Sequence, residues 1–123
     1  MVKRIQHKRT KGYKIPPGAV YVGRPTKWGN PFLVGREMTA WQKSFIATQL
    51  FPFDKIAEEY RRGTFSQPLT LEKSLEYYKI YIEFQVRQGN LDLSELRGKD
   101  LACWCNLDKK CHADVLLKLA NDE

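Results

Sequence analysis

The feature that most constrains the fold is residues 101–117, where a strand pattern runs into a helix pattern. The stretch Leu101-Ala-Cys-Trp-Cys105 has the apolar character of a buried strand, and a helical run begins at His112 and continues to Asn121. A short polar loop separates the two. A strand joined by a loop to a helix is the building unit of layered α/β folds, so this segment favours that class.

The remaining patterns fit the same architecture. β-branched and aromatic residues predict a strand over 19–24, a second strand is predicted over 99–105, and Phe32-Leu-Val is a candidate third strand. Helices are predicted over residues 39–50, 54–60, 71–88 and 112–121, with one helical turn at 94–98. We therefore predict a single compact α/β domain over residues 15–123, with a small, mostly parallel sheet, Rossmann-like layering and flanking helices.

The positive charge of the chain is concentrated in an N-terminal arm, residues 1–14. The formal net charge is +7, and six of the 21 basic residues lie within residues 1–16, where no acidic residue occurs. Removing those six leaves 15 basic against 14 acidic residues, so the rest of the chain carries only +1. The arm is predicted either to contact phosphates of a nucleic acid or to be a solvated terminus that aids solubility.

Composition also indicates the environment of the protein. No apolar run approaches the ~20 residues that cross a bilayer, and the charged N-terminus does not resemble a secretory signal. The three cysteines are odd in number and clustered, which is typical of reduced thiols rather than of a disulfide framework. We expect a cytoplasmic protein with no membrane partner.

Two loops follow the predicted strands, and these loops are where a ligand is expected. Ligands of open α/β sheets bind beyond the carboxyl ends of the strands, and the segments 24–30 and 105–112 occupy that position. The first loop carries groups suited to phosphate, a base and a ribose, with a glycine that allows close approach: Arg24, Lys27, Trp28, Gly29 and Asn30. Together the loops predict a pocket for a nucleotide-like small molecule.

Structural roles remain alternatives for the same residues. Trp28 can anchor the loop on the core, and Arg24 can pair with an acid. Neither G-x-x-x-x-G-K-[ST] nor G-x-G-x-x-G occurs, so ATPase and Rossmann dinucleotide-binding functions lose their main support.

The cysteines and histidine of the second loop allow three interpretations. In one, Cys105 or Cys111 is a reactive thiolate with His112 as proton carrier. In another, the thiols are small buried groups, as expected above all for Cys103, and only His112 contacts the ligand. Alternatively, Cys103, Cys105, Cys111 and His112 can bind zinc, although C-x-C-x5-C-H lacks the usual C-x2-4-C spacing. Our prediction is no cofactor, with zinc as the alternative. Asp114 is a weaker candidate as partner of His112, because residues two apart on a helix do not face each other.

Two motifs carry a family resemblance. Tyr21-Val-Gly-Arg-Pro-Thr-Lys-Trp-Gly-Asn-Pro-Phe32, together with residues 98–105 and 111–116, resembles the DUF4326 family of small uncharacterised proteins frequent in phages and bacteria. The resemblance spans residues 15–121 and implies that the site residues named above in the two loops are signature positions. It implies no reaction, and it would place a phage-encoded member in the host cytoplasm. The strand-Cys-loop-Cys-His-helix element is locally similar to the DUF488 family.

Three functions follow as hypotheses. In the first, the protein binds a nucleotide, a nucleotide-derived metabolite or a nucleic-acid end, and His112, Cys111 or Cys105 cleaves a glycosidic or phosphate bond. In the second, it is a phage-type protein that captures a nucleotide without altering it. In the third, it is a zinc-stabilised domain whose basic arm binds nucleic acid.

Overall fold

The α/β fold is confirmed by a computed structural model, which describes residues 2–8, 11–50, 67–105 and 107–121. Contacts divide the chain into two compact units. Residues 1–30 and 85–123 form the first, which contains the sheet and both predicted ligand loops. Residues 31–84 form the second.

The sheet of the first unit has three short parallel strands: β1 (Arg4–Gln6), β2 (Val20–Tyr21) and β3 (Leu101–Cys103). Their order is β1-β3-β2, so β3 lies in the centre and is buried along its whole length. In register, Leu101 is opposite Arg4 on one side and Val20 on the other. Because all three strands are parallel, their carboxyl ends lie at one edge of the sheet.

The strand β1 was not expected from the sequence. Residues 4–6, assigned there to the basic arm, pair with β3, and the Lys3 backbone N–H donates to the Asp100 carboxylate at 2.9 Å. Residues 4–6 thus form a strand through long-range pairing with β3, although their own sequence has no strand pattern. The predicted strands 19–24 and 99–105 are both present in shorter form.

The last helix, α3 (His112–Asn121), packs against β1 and β3, as its position after β3 requires. Its buried positions Ala113, Leu116 and Ala120 recur at helical spacing, which places one apolar face on the sheet. Ahead of β3, Leu93–Glu95 form a 3-10 turn capped by Asp92, in place of the single helical turn predicted at 94–98.

The second unit contains helix α1 (Ala40–Leu50) and most of helix α2 (Leu71–Arg87). Thr39 and Gln42 form a reciprocal capping box at the start of α1: the Thr39 N–H donates to Gln42 Oε1 at 3.0 Å, and the Gln42 N–H donates to Thr39 Oγ1 at 3.2 Å. Aromatic rings fill this unit, with Phe45 packed edge-on against Tyr81 and Phe84. The aromatic residues of α2 therefore serve packing.

Two predicted elements need separate mention. The stretch Phe32-Leu-Val does not add a strand to the sheet: Val34 forms an isolated bridge with Leu69 instead. The helix predicted over 54–60 lies outside the described residues. Among the helices that are described, none has the length and apolar character needed to span a membrane.

Candidate functional site

Both predicted ligand loops lie at the carboxyl edge of the sheet, as the sequence indicated. One loop follows β2 and the other follows β3, and these strands are neighbours. A hydrogen bond joins the segments directly, because the His112 ring donates from Nε2 to the Val22 carbonyl at 2.8 Å. The start of α3 is therefore tied to the end of β2.

The loop over residues 24–30 is held by bonds within itself. The Gly23 carbonyl accepts from the Thr26 backbone N–H at 3.0 Å and from Thr26 Oγ1 at 2.6 Å. Across the loop, Arg24 Nε donates to the Asn30 carbonyl at 2.8 Å. Gly29 lies so close to Arg24 that a β-carbon there would be 3.0 Å from its Cγ and 3.2 Å from its Cα. The predicted close approach at Gly29 thus serves the loop's own packing.

The four other predicted ligand contacts of this loop have different environments. Arg24 is exposed, and Lys27 is half-exposed in a 2.7 Å ion pair with Glu95. Trp28 and Asn30 are buried, at 3% and 7% exposure. Lys27 Nζ also lies 5.4 Å from the centre of the Trp28 ring, a cation–π contact. The burial of Trp28 matches the loop-anchor alternative, and stacking of a base on this ring would require the loop to open.

The second loop brings all three sulfurs into one cluster. Cys111 lies at its centre, with its Sγ 2.7 Å from Cys105 Sγ and 3.1 Å from Cys103 Sγ, and all three sulfurs lie within 4.8 Å of one another. The cysteines form no disulfide. Cys103 and Cys111 are buried, whereas Cys105 is partly exposed. Cys103 ends β3, and Cys105 lies two residues further on, in the bend that follows the strand.

The histidine and two charged side chains complete this cluster. His112 Nδ1 lies 3.4 Å from Cys111 Sγ. Asp114 accepts from the Cys111 backbone N–H at 3.0 Å, which caps α3, and its other oxygen lies 3.5 Å from Arg4 Nε. Arg4 also donates to the Leu107 carbonyl at 2.8 Å, and its side chain is only 7% exposed. The Asp114 carboxylate thus caps α3 and forms an ion pair with Arg4, rather than orienting His112.

The thiols, His112 and Arg4 interact electrostatically. Hydrogen bonding with the Cys103 and Cys105 thiols outweighs the effect of burial and lowers the pKa of Cys111. Hydrogen bonding with Cys105 and Cys111 raises the pKa of Cys103. Burial acts to lower the pKa of His112, but hydrogen bonds with Cys105 and Cys111 and the charge of Cys111 outweigh it and raise that pKa to about 9. One negative charge is therefore favoured at Cys111, beside two cationic groups.

An aromatic group at the same edge was missed by the sequence interpretation. The Trp104 and His7 rings are stacked, with centroids 4.1 Å apart and an angle of 30° between their planes. His7 also contacts Tyr13 and Tyr21, and Trp104 is 44% exposed. The signal was present in the sequence Cys-Trp-Cys, because alternation in an extended chain turns the middle side chain away from its two neighbours.

This arrangement can serve two kinds of chemistry. Three converging sulfurs and an imidazole nitrogen are a ligand set for a thiophilic metal, and the same groups stabilise a thiolate. The structure places the sulfurs of Cys103 and Cys105 against that of Cys111, and His112 Nδ1 against the same Cys111 sulfur. The residues of the 24–30 loop lie at the same edge, where Arg24 bonds to Asn30 within the loop and Lys27 pairs with Glu95 outside it.

Comparison with known proteins identifies the family. The model of DUF4326, described as a domain of unknown function, matches residues 5–122, so the chain belongs to this family. No curated protein and no solved structure gives a significant match to the chain.

Proposed function

We propose that this member of the DUF4326 family is a nucleotide-binding protein whose ligand lies at the carboxyl edge of the sheet, between the loop after β2 and the loop after β3. The observation that carries the proposal is the exposed Trp104–His7 stack at the end of the central strand, next to loops rich in basic side chains. Ligands of open α/β sheets bind beyond the carboxyl ends of the strands.

Stacking of the base is assigned to Trp104 rather than to Trp28. An exposed indole offers its face to a base, and such stacking contributes about 1–3 kcal/mol per base. Trp104 is 44% exposed, whereas Trp28 is only 3% exposed. His7 behind Trp104 holds the indole in place, so less side-chain freedom is lost when a ligand binds.

Basic side chains on both loops are suited to the phosphate groups. Arg24 is exposed, and its Nε bond to the Asn30 carbonyl fixes the plane of the guanidinium, which favours paired hydrogen bonds to a phosphate. Lys109 and Lys110 are exposed on the other loop. Lys27 already pairs with Glu95, so we expect it to contribute less than Arg24.

The position of His112 favours binding over cleavage of the ligand. Both ring nitrogens have partners within the protein, Val22 at Nε2 and Cys111 at Nδ1, and Cys111 is 1% exposed. A proton carrier or a nucleophile has to reach the reacting atom. Cleavage of a glycosidic or phosphate bond by His112, Cys111 or Cys105 is therefore the secondary hypothesis.

The absence of disulfides among the cysteines suits a reducing compartment such as the cytoplasm.

The test is a calorimetric binding screen of the full chain against nucleoside mono-, di- and triphosphates and a short single-stranded oligonucleotide. Trp104→Ala should weaken binding by about 5- to 150-fold, the equivalent of the stacking energy above. The matched control is Trp41→Ala, because Trp41 is also exposed, at 58%, but lies on α1. Equal losses in both variants, or no binding by the wild type, would contradict the proposal.

The same samples separate binding from cleavage. The ligand is recovered after incubation and analysed by chromatography, and we expect it intact. Turnover that disappears in His112→Ala would establish the catalytic hypothesis instead. Preference for the oligonucleotide, lost when the exposed Lys8, Lys11 and Lys14 are replaced by glutamine, would favour binding of nucleic acid.

A further inference from the structure

The sulfur cluster has a geometry that a nucleotide-binding function does not require. Cys103 ends β3, Cys105 lies two residues further on, and Cys111 directly precedes α3. Three separate backbone positions thus direct their side chains to one point. The backbone at two of them is fixed, since the Cys103 carbonyl accepts from the His7 N–H at 2.7 Å and the Cys111 N–H is held by Asp114.

The bonding of His112 matches that of a metal ligand. Metal-binding histidines commonly donate their second ring N–H to a backbone carbonyl, which fixes the ring and its tautomer. His112 does this through Nε2 and the Val22 carbonyl, leaving Nδ1 directed at Cys111 Sγ, 3.4 Å away. In a tetrahedral zinc site the spacing of a nitrogen and a sulfur ligand is about 3.5 Å, given bonds of about 2.0 and 2.3 Å.

The sulfur spacing indicates how far the cluster must adjust. Two sulfurs bound to one zinc ion lie about 3.8 Å apart. The observed separations are 2.7 Å between Cys111 and Cys105 and 3.1 Å between Cys111 and Cys103. For these two pairs, outward movement of each sulfur by well under 1 Å would reach the zinc spacing, and side-chain torsions can supply such a movement.

A disulfide or a nucleophilic thiol explains the cluster less well. One disulfide uses two of the three sulfurs and gives no role to the third. A nucleophile needs access, and Cys103 and Cys111 are 0% and 1% exposed. Thiolate and imidazole ligands together are the donor set that zinc prefers in closed structural sites.

We propose that Cys103, Cys105 and Cys111, with His112 Nδ1, bind a single zinc ion that fixes β3, the following loop and the start of α3 in one arrangement. Three thiolates and one neutral imidazole leave the complex with a net charge of −1. The buried guanidinium of Arg4 beside Cys111 balances that charge. With four protein ligands no coordination position is open, so the ion is structural.

The experiment compares the native mass of the purified full chain with its denatured mass, and measures zinc by atomic emission. We expect one zinc ion per chain, removed by a strong chelator and restored when zinc is added. Co²⁺ added to the stripped protein should give the visible absorption of a tetrahedral thiolate site. Cys111→Ser should abolish this absorption.

The two histidines of the chain form a matched pair of variants. His112→Ala should weaken zinc binding by about 10-fold or more, since loss of an outer-shell group alone typically costs about 10- to 100-fold. His7→Ala should retain the zinc. If Cys111→Ser fails to fold, zinc is titrated into the chelator-stripped wild type instead. Circular dichroism then shows whether zinc binding orders the chain.

Two results would overturn the proposal. One is a wild-type chain that holds no zinc and takes up no Co²⁺ under reducing conditions. The other is equal zinc affinity in His112→Ala and the wild type, which would remove the fourth ligand. Because nucleotide binding is measured separately with Trp104→Ala, either result can be distinguished from a failure of that function.

Discussion

Replacing Gly23 with alanine should destabilise the sheet, because a β-carbon at this position would collide with the Tyr21 ring. The added carbon would lie 2.5 Å from Tyr21 Oη, 2.7 Å from Cζ and 2.9 Å from Cε1. Ordinary contact begins near 3.4 Å, so the ring must move by about 0.9 Å. Tyr21 is anchored where it is, since its hydroxyl donates to the Arg24 carbonyl at 2.8 Å and its ring contacts His7.

The magnitude follows from these contacts. Forcing extra volume into a packed position costs about 1–3 kcal/mol, and loss of the hydroxyl bond costs about 0.5–1.5 kcal/mol. We therefore expect Gly23→Ala to lower the free energy of unfolding by about 2–4 kcal/mol. Tyr21→Phe removes the hydroxyl alone, and we expect it to cost about 1 kcal/mol.

Urea unfolding followed by far-UV circular dichroism measures these values, and a double-mutant cycle isolates the cause. In Tyr21→Leu the colliding atoms are absent, so adding Gly23→Ala to that variant should cost less than it does in the wild type. We expect a coupling energy of about 1–3 kcal/mol. Additive effects, with coupling below about 0.5 kcal/mol, would refute the collision as the cause.

Two further predictions concern local hydrogen bonds. Gln42→Glu should lower the free energy of unfolding by about 1–3 kcal/mol, because the Nε2 that donates to the Pro31 carbonyl at 2.7 Å is replaced by an acceptor oxygen. Thr39→Ala removes only the cap of α1 and should lower it by about 1 kcal/mol. Equal losses of the two variants in urea unfolding would contradict this ranking. Hydrogen bonds from Ser94 hold the pKa of Asp92 below its usual value. The Asp92 carboxylate therefore stabilises the fold at pH values above its unfolded-state pKa, and this stabilisation is lost as the pH falls through its folded-state pKa. An NMR titration of the Asp92 carboxyl with a midpoint at or above that of an unstructured peptide would contradict this.

The elements that the sequence predicted well are those with strong local patterns. Helix α2 has apolar residues at helical spacing, and α3 follows a polar loop after a buried strand. Strand β1 has no such pattern, because it is a three-residue edge strand with Arg4 and Gln6 on either side of one apolar residue. Its pairing partner lies nearly the full length of the chain away, and the energy of that pairing is not visible locally.

The site shows the same division between local and long-range information. The convergence of the cysteines was predictable in part, because Cys103 and Cys105 lie at the end of one predicted strand and Cys111 directly precedes the next helix. The burial of Arg4 was not predictable, since it depends on Asp114 and on the Leu107 carbonyl. Of the tryptophans, the sequence analysis considered only Trp28 as a stacking ring, and only the fold shows that Trp28 is buried and Trp104 exposed.

The sequence Cys103-Trp104-Cys105 connects the two proposals. Its outer side chains belong to the sulfur cluster, and the ring between them stacks on His7 at the exposed edge. A metal ion that holds both cysteines would fix the backbone on each side of Trp104, and so the direction in which the indole points. Less conformational entropy would then be lost when a base stacks on the ring, and binding would be stronger without any contact between metal and ligand. Such an arrangement would explain why the proposed four-ligand zinc site lies next to the proposed binding surface.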